Sequence, residues 1–177
     1  MSLCQKPKMK ELCVLMLGLD KSGKTALLYK WLTKKSQETI PTTGFNVEII
    51  KSKNISLTIT DVNGQDQTRL IWSTYTQNIQ LLFFVIDSSQ RDVQIILSTH
   101  SELQKLINNL NVNIPFIILF NKSDLPNIFS DEEIWNEFDL KIGENNLNGR
   151  RIIALRTSAK IQSSFKDVIQ WVQKLNV

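Results

Sequence analysis

The chain is poor in the residues that would staple or metallate a small protein. Only two cysteines occur in 177 residues, Cys4 and Cys13. Two cannot make a disulfide framework, so a reducing compartment is the default. Cys13 lies in an apolar run and reads as a small buried hydrophobe. There is one histidine, His100, inside a helical pattern. That excludes a histidine-based catalytic or metal site and leaves His100 as an exposed helix residue. No apolar run approaches the ~18 residues of a membrane span. Residues 1–11 are polar, with Lys6, Lys8 and Lys10. The run Leu12–Leu19 is short, is broken by Gly18 and has no cleavage site after it, so no signal peptide is expected. Charge is not strongly one-sided either. The net charge of +4 falls short of a dedicated nucleic-acid binder, and no nucleic-acid partner is expected. Repeats, low-complexity segments and linkers are absent.

What the chain does have is a periodic alternation. Apolar runs at Leu12–Leu17, Leu81–Ile86, Pro115–Phe120 and Ile152–Leu155 suit strands buried on both faces of a parallel sheet. Helical patterns separate them. Phe165, Val168, Ile169 and Val172 make one apolar face of a last helix, and Leu97, Leu103, Leu106 and Leu110 sit in a long middle one. Asp131 is placed to cap another. Phe45–Ile50 and Ile55–Thr60 read as an antiparallel hairpin at the sheet edge. One domain spans 1–177, with a basic tail over about 1–10. The architecture is three-layer α/β, helices on both faces. Such sheets bind ligands beyond the carboxyl ends of their strands.

The first loop there is Gly18-Leu19-Asp20-Lys21-Ser22-Gly23-Lys24-Thr25, which matches G-x-x-x-x-G-K-[ST] between a strand and a helix. Its glycines let backbone N–H groups of Asp20, Lys21, Ser22 and Gly23 wrap phosphates, helped by the helix N-terminus. Lys24 would sit between β- and γ-phosphates, and the Thr25 hydroxyl on Mg²⁺. Asn121-Lys122-Ser123-Asp124 follows the strand Pro115–Phe120. The Asp124 carboxylate accepts hydrogen bonds in pairs, which suits guanine N1–H and its exocyclic amine and not adenine. N-K-x-D alone is also an ordinary turn; after a P-loop it argues for guanine. Asp61-Val62-Asn63-Gly64-Gln65 offers Asp61 to Mg²⁺ through water, the Gly64 N–H to the γ-phosphate, and Gln65 to orient an attacking water. Thr42, in Ile40–Gly44, is placed to reach Mg²⁺ and the γ-phosphate with GTP bound. In Thr157-Ser158-Ala159-Lys160, backbone N–H groups of Ser158, Ala159 and Lys160 would meet the guanine carbonyl.

These motifs, in this order, resemble those of small GTPases. Gly18-Leu19-Asp20, Ile40–Glu48, Tyr75-Thr76-Gln77-Asn78, Asp87-Ser88-Ser89 and Asn121–Asn127 are similar to the Arf and Arf-like branch, from about Lys10 to the C-terminus. The resemblance implies a P-loop NTPase (Ras-like) fold with a six-stranded, mostly parallel sheet and one antiparallel edge strand. It implies a GDP/GTP switch with Mg²⁺, acting in membrane or vesicle traffic through effectors. Hydrolysis would be slow alone and completed by an activating protein, with an exchange factor to reload it. Asp20, an acid near the γ-phosphate, agrees with slow intrinsic hydrolysis. The resemblance places an effector surface on Phe45, Trp72 and Tyr75. A monomer is the default.

The departures are specific. Residue 2 is Ser, so the myristoylation signal is absent. Pro7 and a short tail argue against the family's amphipathic membrane helix. Cys4, Lys6, Lys8 and Lys10 offer acylation and lipid contact, against the plainer reading of a solvated cytoplasmic tail. Asn63 stands where the family has Gly, and Thr60 where it has Trp, which makes the effector patch smaller. The glycines that follow the last motif in the family are missing from Ile161–Phe165. Trp31, Trp135 and Trp171 read as packing residues. A non-catalytic interaction module on a GTPase scaffold is the alternative to a switch. A P-loop ATP-dependent kinase fails on Asn121–Asp124 and on the lack of an Arg-rich lid.

Overall fold

The structure is a computed structural model that describes residues 9–35, 39–40, 42–52, 54–161 and 163–175. Cys4, Lys6, Pro7, Lys8 and Pro41 lie outside the described residues. The strands are β1 (Lys10–Leu17), β2 (Phe45–Ser52), β3 (Ile55–Val62), β4 (Leu81–Asp87), β5 (Phe116–Asn121), β6 (Gly143–Leu147) and β7 (Arg150–Arg156). The helices are α1 (Lys24–Thr33), α2 (Asp66–Arg69), α3 (Val93–Asn109), α4 (Asp131–Phe138) and α5 (Ser164–Lys174). A 3₁₀ turn covers Trp72–Thr76.

The strands form one sheet in the order β2-β3-β1-β4-β5-β7-β6. The five from β3 to β7 in that order run parallel. The sheet therefore has seven strands, not six, and both edges are antiparallel hairpins. The unexpected strand, β6, reads Gly-Glu-Asn-Asn-Leu and carries none of the branched or aromatic residues that mark a strand. It exists because β7 offers it an open edge, and Arg151 reaches across to Glu144.

Alternation along the central strands divides the core in two. Leu15, Leu17, Phe84 and Phe120 face α3, α4 and the 3₁₀ turn. Val14, Met16, Phe83 and Val85 face α1 and α5. On α5, Val168 and Val172 are fully buried and Ile169 nearly so, as the spacing predicts. On α3 the inward stripe is Ile96, Thr99, Leu103, Leu106 and Ile107, whereas Leu97 points to solvent. The N-cap of α4 is Ser130, one residue before the expected Asp131. Its hydroxyl accepts the Glu133 N–H and Glu133 returns a bond to the Ser130 N–H, a reciprocal capping box. Asp131 instead pairs with Arg156.

Three other side chains depart from expectation. Cys13 is exposed, because the first half of β1 alternates between buried and exposed positions and Cys13, paired with half-buried Thr58, falls on the exposed side. His100 is half-buried, edge-on to Phe138. Trp135 is exposed rather than packed, beneath the Lys141 ammonium.

The C-terminal end of α3 is closed by a residue far away in sequence. Arg150, at the start of β7, is buried, with its guanidinium stacked 4.5 Å from the Phe116 ring centre. It donates to the carbonyls of Ile107 (3.2 Å), Leu110 (2.5 Å), Asn111 (2.6 Å) and Ile114 (2.6 Å). The last carbonyls of a helix have no partner of their own.

Candidate functional site

The carboxyl ends of the parallel strands open on one side of the sheet, where the β1–α1 loop, the end of β3 and the end of β5 bring three of the first four motifs; the fourth, with Thr42, comes from the connection between α1 and β2. After β1, two positions demand glycine. A Cβ on Gly18 would lie 2.2 Å from the Val85 carbonyl oxygen, and Gly18 has φ +146°. Gly23 has φ +88°, and a Cβ there would lie 2.5 Å from Asn121 Nδ2. Gly23 is also the N-cap of α1, so no side chain satisfies the first N–H groups of that helix. The positive end of α1 opens into the cleft.

Lys24 follows at the first helical position. Its ammonium is buried and donates to the carbonyls of Gly18 (2.8 Å) and Leu19 (3.0 Å). Burial lowers its pKa to about 8, against the opposing pull of Asp61 and Asp20. An ammonium so desolvated gains from an anion placed against it.

Beside it, three hard oxygen donors meet from three segments. The Thr25 hydroxyl donates to Asp61 Oδ2 at 2.6 Å and lies 2.8 Å from the Thr42 hydroxyl. Asp61 is fully buried and its Oδ1 has no partner. Burial raises its pKa, opposed by the Thr25 bond and by Lys24. A buried carboxylate with an orphaned oxygen, flanked by two hydroxyls, fits a small hard cation such as Mg²⁺.

Gly64 presses against the first loop. A Cβ there would lie 2.3 Å from the Gly18 carbonyl oxygen, and the Asp20 N–H donates to the Gly64 carbonyl at 3.1 Å. Asn63, beside it, is largely buried and bonded to the Gln65 side chain.

The second group of loops adjoins the first through Asn121. Asn121 closes β5, and its amide donates to the Ser22 carbonyl at 2.9 Å. Lys122 adopts φ +62°, and its ammonium pairs with Asp87 at 2.6 Å. Asp124 accepts the Ser158 hydroxyl at 2.5 Å and pairs with Lys160 at 3.2 Å. Desolvation would raise its pKa, but the bonds from Ser158 and Lys160 win and hold it below the usual carboxylate range. The Lys160 N–H is spent on the Ser158 hydroxyl. Asp87 was not singled out as a site residue; only its place in Asp87-Ser88-Ser89 marked it, and its contact with Lys122 could not be read from spacing.

The aromatic patch is smaller than expected. Phe45 is exposed and its ring centre lies 5.7 Å from that of Tyr75. Trp72 is not part of this surface. It is buried edge-on against Phe84, and its indole N–H donates to the Asn63 carbonyl at 3.2 Å.

Comparison with known proteins identifies the family and the fold. The model of the ADP-ribosylation factor family matches residues 1–175. The structure resembles that of the Arl6 BBS3 small GTPase from Trypanosoma brucei with a bound nucleotide analogue, at TM-score 0.78 and 26% identity. That match covers 93% of this chain and 96% of the other. The mammalian SRP receptor shares the fold at TM-score 0.73 and 23% identity, over 92% of this chain and 98% of that one. A P-loop whose glycines are sterically required, a seven-stranded Ras-like sheet and a family match over almost the whole length lead to one conclusion: this chain belongs to the ADP-ribosylation factor family of GTP-binding switches.

Proposed function

We propose that the protein binds GDP and GTP in preference to adenine nucleotides and alternates between two states as it hydrolyses GTP slowly. The observation that carries this reading is Asp124, a carboxylate kept ionised and oriented by Ser158 and Lys160 in the loop that Asn121 joins to the P-loop. An ionised, fixed carboxylate rewards a base that presents two adjacent donors and penalises one that does not.

The remaining residues take complementary roles. Gly23 and the start of α1 offer backbone N–H groups to phosphate oxygens, and the N–H groups of Asp20, Lys21 and Ser22 turn to them from the Gly64 carbonyl, the Asp20 side chain and the Leu19 carbonyl. Lys24 regains its full charge against them. Thr25, Thr42 and Asp61 would hold Mg²⁺, which supplies positive charge against the phosphates when bound. Gln65 orients the attacking water, and Asp20, an acid beside the transferred group, slows the intrinsic reaction. Thr42 and Gly64 report the γ-phosphate: contacts made to it order their segments, and hydrolysis releases them. Asn121 and Lys122 brace the base-binding loop, and Ser158, Ala159 and Lys160 close it. An activating protein completes hydrolysis and an exchange factor reloads the site. Effectors read Phe45 and Tyr75, in a role in membrane traffic.

The test is competition between GDP and ADP for the purified chain, with and without Mg²⁺. Preference for GDP by orders of magnitude, strengthened by Mg²⁺, is the expected result. Equal affinity for the two would overturn the role of Asp124.

A further inference from the structure

Asn63 replaces a glycine of the family pattern, and its side chain is engaged rather than idle. Oδ1 accepts the Gln65 N–H at 3.0 Å, and Nδ2 donates to Gln65 Oε1 at 3.0 Å. The two bonds span Gly64 and fasten both the backbone and the carboxamide of Gln65 to one neighbour. Asn63 is itself anchored. Its N–H donates to the Gly44 carbonyl at 2.9 Å, at the start of β2, and its carbonyl accepts the Trp72 indole at 3.2 Å. Asn63 is 8% exposed whereas Gln65 is exposed, so the clamp is fixed from the buried side.

We propose that Asn63 is a positioning residue that holds the Gln65 carboxamide away from the attacking water, so that intrinsic hydrolysis waits for this clamp to open. The inference rests on the role proposed above for Gln65. A carboxamide orients water by accepting from it through Oε1 while its amine donates elsewhere. Here Oε1 accepts from the Asn63 amide, which turns the carboxamide toward residue 63 and leaves only its second lone pair for water. A glycine at 63 could make neither bond. The clamp also links the two segments that sense nucleotide, since Asn63 is tied to Gly44 on one side and to Trp72 on the other. A partner that pulls either Gly44 or Trp72 would release Gln65 without touching it.

Breaking one neutral hydrogen bond of ordinary net worth, about 1 kcal/mol, corresponds to roughly a fivefold change in rate. The experiment is single-turnover GTP hydrolysis by the full chain with Mg²⁺, alongside dissociation of a fluorescent GDP analogue. The variants are Asn63→Gly, Asn63→Ala, Gln65→Leu and the double variant Asn63→Gly/Gln65→Leu. Asn63 has no left-handed backbone, so alanine fits there without strain. Expected are about fivefold faster hydrolysis in both Asn63 variants, unchanged GDP dissociation, and no acceleration in the Gln65→Leu background. Hydrolysis equal to or slower than wild type in the Asn63 variants, with Gln65→Leu inactive, sinks the clamp while sparing the role of Gln65. Acceleration that persists in the double variant, or that tracks GDP dissociation, means Asn63 acts through the fold and not through Gln65. Wild-type hydrolysis in Gln65→Leu removes the role of Gln65 and the clamp with it.

Discussion

Replacing Arg150 with methionine should cost the fold more than any surface change, although the residue lies outside the nucleotide cleft. Methionine keeps much of the stem and its packing near Phe116 but removes the guanidinium. Four carbonyls then lose their donor: Ile107, Leu110, Asn111 and Ile114. Asn111 retains a bond from the Ile114 N–H, which leaves three without a replacement named in the fold. A hydrogen bond to a charged group is worth about 1.5–3 kcal/mol and an orphaned buried acceptor costs about 1–3 kcal/mol, so three such carbonyls, whose losses are not additive, should cost about 3–5 kcal/mol in total. At about 2–4 °C per kcal/mol for a chain this size, the midpoint should fall by roughly 6–20 °C. The assay is calorimetry with saturating GDP at one fixed concentration, since bound ligand itself raises the midpoint. Arg150→Lys, with three donors and no planar fork, should fall between the two. A loss below about 1 kcal/mol in Arg150→Met would refute the argument, because water would then be serving those carbonyls equally well.

Three further outcomes are expected. Asp124→Ala removes both acceptors for guanine and should weaken GDP binding by about 3 kcal/mol, roughly 100-fold, while leaving binding of inorganic pyrophosphate little changed; equilibrium dialysis decides. Lys24 has a folded pKa lowered to about 8, so its charge works against the free fold fully below that pH, and the penalty fades as pH rises toward the ordinary lysine value. GDP restores the charge, so binding near pH 8 should take up about half a proton and weaken as pH rises further; calorimetry in two buffers of different ionisation enthalpy would detect it, and zero uptake would contradict the burial argument. Gly64→Ala should leave GDP binding intact but forbid the approach of residue 64 to the P-loop, since its Cβ would meet only backbone there. Hydrogen exchange at the Asp20 amide should then accelerate, and unchanged protection would mean the approach is not needed.

Much of the site is legible because its constraints admit one residue type, which shows in the motif even where the partner is distant in sequence. Gly18, Gly23 and Gly64 occupy positions where a side chain collides with backbone or amide, and such positions can be filled in only one way. The central strands were legible because burial on both faces writes an uninterrupted apolar run. The edges were not. In β6 the composition is polar and only pairing with β7 makes a strand of it. Trp72 matched a surface motif by position, but where its ring goes is decided by the space beside Phe84 and a carbonyl at Asn63. Cys13 differs for the opposite reason, since an apolar run does not say which of its positions turn outward near the strand's start. Arg150 carried no signal at all, because its partners lie 36 to 43 residues away.

The amide of Asn121 reaches back to the Ser22 carbonyl, and Gly23 has no room for even a methyl group between them. The two halves of the cleft are thus bolted together at one point, and neither can be adjusted alone. A ligand assembled from a base and a phosphate chain should therefore bind more tightly than its separate fragments would suggest. Damage at the joint itself, unlike damage at Asp124, should be felt on both sides: loosening the bolt at Asn121 would weaken the grip on pyrophosphate, a molecule with no base to read.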